Sequence, residues 1–210
     1  MKYGRIVVGL SRFASAMLSP LLMPTYGIII ALWCSYLSAY DMGLRVTIML
    51  VASGITLVLP VFFIATLHHF KWISDKRLVD RRERLLPYLF AFLCYVGVAF
   101  YLHSRVHMPT WGVMFFVGAA LSVLISAVVN LRWKISAHMA GMAGIVALIY
   151  NMHALVTEAF NLIWVLIVAV LLCGILGSAR IILGRHTLAQ VIAGAINGAL
   201  CVTLMMQWFG

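Results

Sequence analysis

Three clusters of chemically capable residues stand between the long apolar runs of this chain. The last of them, Ser178–Gln190, holds Arg180, His186 and Gln190 in the spacing R-x5-H-x3-Q. On a helix beginning near His186, Gln190 falls one turn on and shares the histidine's face. A histidine steered by a polar neighbour, with an arginine close by, suits nucleophilic attack on an anion. The middle cluster, Lys134–Gly141, contains Ser136 and His138. Ser136 is a good helix N-cap, and the N–H groups of a helix start form a ready site for phosphate. His138 would sit in that first turn. Alone it reads as an interfacial histidine; paired with His186 on one membrane face it becomes a candidate acid or base. The first cluster, Asp75–Pro87, carries Arg77 and Arg84. Any single arginine there reads as part of a solvated basic loop. Two or three guanidinium forks beside a histidine pair would clamp phosphate oxygens.

These residues must be positioned by membrane helices. The chain has 210 residues, is 65% hydrophobic and 10% charged, and has a mean hydropathy of +1.09. Soluble domains run at about 45–50% apolar and about 25% charged, so we read a polytopic membrane protein forming a single domain over residues 1–210. The net charge of +10 then reflects membrane-flanking residues, anionic headgroups and an anionic substrate, with no nucleic acid partner expected. Cys34, Cys94, Cys173 and Cys201 lie scattered in apolar runs without metal-ligand spacing and read as small apolar fillers. The first apolar run is too long for a signal-peptide core and is read as a membrane helix.

A span needs about 20 apolar residues. The expected spans are Phe13–Tyr40 (kinked by Pro20 and Pro24), Val46–Leu67, Leu85–Leu102, Thr110–Asn130, Ala137–Tyr150, Ala159–Gly177 and Thr187–Phe209. An all-α bundle of about six to seven transmembrane helices follows. Counting spans puts all three polar clusters on one membrane face. Only Arg45 and Arg105 of the fifteen Lys and Arg residues fall opposite. By the positive-inside rule the crowded face is cytoplasmic. Gly194 and Gly198 make a GxxxG step, and Ala137, Ala140, Gly141 and Gly144 make small-xxx-small steps. Such steps predict close packing of the last three helices. Trp72, Trp111, Trp133 and Trp208 fall near span ends, as interface anchors do.

Taken together the clusters resemble the type 2 phosphatidic acid phosphatase superfamily of membrane lipid phosphatases, related to the vanadium haloperoxidases. Its motifs are KxxxxxxRP, PSGH and SRxxxxxHxxxD. Arg77 through Arg84 is similar to the first, with arginine for lysine and the proline displaced to Pro87. Ile135-Ser-Ala-His138 is similar to the second, with isoleucine for proline and alanine for glycine. Ala179-Arg180 through His186 to Gln190 is similar to the third, with alanine for serine and glutamine for aspartate. The resemblance covers about residues 70–200. It implies a core like that of these phosphatases and haloperoxidases, in a multi-pass protein of a bacterial inner membrane. It also implies a metal-free, cofactor-free phosphatase acting on a lipid phosphate monoester or polyprenyl (di)phosphate. His186 would be the nucleophile, His138 the acid and base, Gln190 the orienting residue, and Arg77, Arg84, Ser136 and Arg180 the phosphate ligands. Membrane lipids are the other expected partners, and the motifs leave homo-oligomerisation open.

Two other classes compete. A non-catalytic or weakly active lipid-binding or transport protein on the same fold would explain Gln190, which brings no charge where the family has a carboxylate. An intramembrane prenyltransferase would use Asp75, Asp80 and Glu83, but needs two acid-rich loops to hold magnesium diphosphate. A chain with five acidic residues hardly supplies them.

Overall fold

The computed structural model of the chain describes residues 4–74, 82–155 and 161–210. Among these the regular structure is entirely helical, in nine α-helices: α1 Arg5–Met17, α2 Met23–Trp33, α3 Met42–Ser53, α4 Leu59–His69, α5 Leu85–Tyr101, α6 Thr110–Asn130, α7 Ala137–Leu155, α8 Ile163–Ile182 and α9 Leu188–Phe209. A π-helical turn at Gly54–Val58 joins α3 to α4, so Met42–His69 runs as one helix. The wide turn lies just before Pro60, which has no N–H to continue the regular ladder.

Five described helices are long and apolar enough to cross a membrane: Met42–His69, Leu85–Val106, Thr110–Asn130, Ile163–Ile182 and Leu188–Phe209. This is consistent with a multi-pass membrane protein and is fewer than the six to seven expected. Two local causes account for the difference. The expected first span, Phe13–Tyr40, is not one helix. It breaks after Met17 and restarts at Met23, with Pro20 in the turn and Pro24 in the first turn of α2. The fifth expected span is the 19-residue α7, whose His138, Asn151 and His153 lower its hydropathy. Most of α7 is buried within the bundle, so it faces protein on nearly all sides.

The bundle is organised around α9, which packs along both α7 and α6. Glycines permit the approach. A β-carbon at Gly198 would overlap the Ala140 carbonyl, and one at Gly194 would overlap the Ser136 carbonyl. In lipid, where apolar contact with tails competes with apolar contact between helices, backbone proximity of this kind drives association. On α6, Gly118 meets the backbone of Val202 in the same way. Asn197 adds a polar clasp: its Nδ2 donates to the Ser122 carbonyl at 2.9 Å, to Ser126 Oγ at 3.0 Å and to Ser122 Oγ at 3.1 Å.

The outward surface carries large apolar side chains, among them Leu93, Phe100, Leu171 and Leu200, as a lipid-facing surface requires. Trp72, Trp133 and Trp208 are exposed, in keeping with interface anchors. Trp111 is instead buried, and its indole Nε1–H donates to the Tyr36 hydroxyl at 3.0 Å. The four cysteines are free thiols.

Candidate functional site

The segment between Arg180 and His186 is shaped by how one helix stops and the next starts. The α8 helix ends in a Schellman motif. Gly184 N–H donates to the Ile181 carbonyl at 2.9 Å, and Arg185 N–H to the Arg180 carbonyl at 3.1 Å. Gly184 sits at φ +64, a left-handed conformation for which glycine carries no Cβ penalty. Three residues later Thr187 caps α9. Its Oγ1 accepts from Gln190 N–H at 3.4 Å, while Gln190 Oε1 accepts from Thr187 N–H at 3.3 Å. This is a capping box. His186 therefore lies just before α9, not on its first turn. Gln190 reaches it because the capping box folds the amide back.

That amide oxygen also accepts from His186 Nδ1 at 3.1 Å. An amide oxygen can only accept, so the contact places the proton on Nδ1 and leaves the lone pair on Nε2. His186 is 7% exposed. Burial and the Arg180 guanidinium lower its pKa to about 4, against a smaller opposing pull from Gln190. The imidazole is thus neutral at pH 7, with its lone pair on Nε2. We expect histidine NMR titration, or His186 carbethoxylation followed by peptide mass, to report a neutral ring down to about pH 5. Arg180→Gln should shift the midpoint upward, because it removes a positive charge that opposes protonation.

The second cluster meets the third directly. Ser136 N–H donates to the Gln190 carbonyl at 3.3 Å, beside the Gly194 contact. This places the N-terminus of α7, and His138 with it, next to the start of α9. Ser136 acts as the N-cap expected of it, its Oγ accepting from Met139 N–H at 3.5 Å. It is fully buried and is not among the residues lining the cavity described below, so its expected role as a direct phosphate ligand finds no geometric support. His138 Nε2 donates to the Ser15 carbonyl at 3.2 Å. Its proton is held on that side and Nδ1 is left as the acceptor.

Both histidines line one cavity of about 730 Å³, within the usual range for small-molecule sites. Five cations line it as well: Arg12, Arg84, Lys134, Arg180 and Arg185. No carboxylate lies among the described residues around it. The cavity continues between the helices along Pro60, Phe63, Ile64, Ala91, Phe115 and Ala119. Tyr95, also on its wall, stands ten residues into α5, so the apolar limb reaches roughly 15 Å into the bundle at 1.5 Å per residue. Gly141 shapes one wall, letting Met23 and Pro20 close against α7.

The structure thus brings together Arg84, His138, Arg180 and His186. Gln190 supports His186 without lining the cavity. Arg77, with Asp75 and Asp80, lies outside the described residues. Arg12, Ser15, Lys134 and Arg185 line the cavity without having been singled out as ligands in the sequence. For Arg12 and Ser15 a signal existed: with Ser19 they form a polar stripe at helical spacing. Comparison with protein-family models, curated proteins and solved structures found no match.

The Gln190 contact has a measurable consequence. If the site is catalytic, Gln190→Ala should lower turnover by about 10²-fold or more, as loss of a histidine-orienting partner does elsewhere. It should also cost about 1 kcal/mol through the broken capping box. Gln190→Glu keeps the acceptor and should restore most of the rate, with the His186 titration moved upward by the added carboxylate. A rate in Gln190→Ala equal to wild type would show that Gln190 serves only the helix start.

Proposed function

We propose that the chain is a metal-independent membrane phosphatase of the type 2 phosphatidic acid phosphatase kind, acting on a lipid phosphate monoester or polyprenyl (di)phosphate at the cytoplasmic face. One observation carries this reading. A histidine whose Nδ1–H is fixed by Gln190 opens onto a cavity lined by five cations and no described carboxylate. Such a cavity selects an anion, and a neutral Nε2 lone pair within it is a nucleophile. The apolar limb gives a hydrocarbon chain a place to lie while its phosphate sits at the cationic end.

In the proposed reaction His186 Nε2 attacks phosphorus in line with the ester oxygen. With His138 doubly protonated at the start, its Nε2–H on the Ser15 carbonyl, the P–N bond forms as the P–O bond to the lipid breaks, and the leaving alkoxide takes the proton from His138 Nδ1. Water then attacks the phosphohistidine, giving up a proton to His138 as the P–N bond breaks. Inorganic phosphate leaves and both histidines return to their starting state. Arg84, Lys134 and Arg180 line the cavity, and in this reaction they would stabilise the charge spread over the equatorial oxygens electrostatically. The test is phosphate release by purified protein over a panel of lipid phosphates and prenyl diphosphates, with chelator present.

A lipid-phosphate-binding protein without turnover is the second reading, favoured by the uncharged Gln190. Tight binding of vanadate or lipid phosphate with no phosphate release would establish it.

A further inference from the structure

We propose that α1, which lies outside all three motif segments, supplies a fourth part of the anion site: Arg12 and the Ser15 hydroxyl bind phosphate oxygens, and the Ser15 carbonyl positions His138. This rests on reading the cavity as a phosphate site.

The Ser15 side chain carries the inference. Ser15 is 8% exposed and lines the cavity, yet its Oγ has no hydrogen-bond partner among the described residues. Buried hydroxyls are satisfied in the great majority of proteins, and an orphan facing a cavity calls for an acceptor there. Arg180 Nε is a second orphan on the same cavity, from a different helix. Both are donors, and a phosphate oxygen accepts from each. Arg12, one turn before Ser15, adds a guanidinium to the same wall. Meanwhile the Ser15 carbonyl already holds His138 Nε2–H. One short helix therefore touches the proposed acid and offers two groups to its substrate.

The sequence of α1 explains why it lies there. Ser11 and Ser15 are buried toward the bundle, and α1 packs along α8, which bears Arg180. Ile6, Leu10, Phe13 and Met17 are exposed on the other side. At 13 residues, α1 is too short to span but has the two faces of a helix lying in the membrane interface. Its apolar side anchors in lipid and its polar side closes the site.

The experiment is calorimetric binding of inorganic phosphate and of orthovanadate to the full chain in lipid nanodiscs, with Arg12→Gln, Ser15→Ala and Arg5→Gln. Arg5 belongs to the same helix and does not line the cavity. Arg12→Gln is expected to weaken binding about tenfold, as the loss of one charge-assisted hydrogen bond would. Ser15→Ala should weaken it severalfold, Ser15→Thr should restore it, and Arg5→Gln should match wild type, all with unchanged melting temperature. Wild-type affinity in both Arg12→Gln and Ser15→Ala would overturn the role of α1. So would weakening that only accompanies a lowered melting temperature. Wild-type protein that binds neither anion would instead bring down the phosphate-site reading on which the inference rests.

Discussion

On the proposed phosphatase reading, His186→Ala should reduce phosphate release by about 10³-fold or more while leaving the protein folded. The expectation follows from the division of labour at the site. On the proposed reading the cations bind and orient the phosphate, and His186, the wall histidine whose ring is steered by a side-chain partner, attacks it. Alanine leaves the five cations in place, so lipid phosphate should still bind. Rapid quench with radiolabelled substrate should trap an acid-labile, base-stable phosphoenzyme in wild type and none in the variant. His138→Ala offers a second view of the same chemistry. With a good leaving group it should still form the phosphoenzyme, yet accumulate it, because no base remains to activate water. Undiminished turnover in His186→Ala would rule out the phosphohistidine route through His186.

Gly198→Leu should cost at least about 1–3 kcal/mol of stability, as overpacking does, and abolish the proposed activity together with it. The obstruction is backbone, not side chain: a β-carbon there meets the Ala140 carbonyl, carbon and α-carbon. No rotamer change relieves that, so α7 and α9 must separate. They carry His138 and the Thr187–Gln190 capping box on their first turns, joined by Ser136 N–H on the Gln190 carbonyl. Separation at Gly198 therefore opens the site two turns away. Gly174→Leu is the control, since nothing lies within 4 Å of a β-carbon at that position. Thermal unfolding in detergent measures both. Equal melting temperatures for the two variants would contradict the packing of α9 on α7.

Which parts were legible in the sequence follows from the physics each part obeys. Membrane helices declare themselves because lipid rewards a long apolar run directly, and Thr110–Asn130 appears at its expected bounds. The count was harder. Prolines at 20 and 24 divide the first run, and α7 carries polar residues because other helices, not lipid, surround it. The capping residues Gly184, Thr187 and Gln190 were all readable as letters. Their joint effect on His186 was not, since the R-x5-H-x3-Q spacing alone puts His186 on the same helix face as Gln190, whereas it precedes the Thr187 cap.

The sequence by itself determined the helical class, the three polar clusters, and the small-residue seam that lets α7 and α9 meet. Those are properties of composition and short-range spacing. Only the tertiary structure decided that Arg12 and Ser15 on α1 share a cavity with Arg84, His138, Arg180 and His186. A cavity is set by which helix faces converge, and convergence depends on packing between segments up to about 170 residues apart, which no local spacing records.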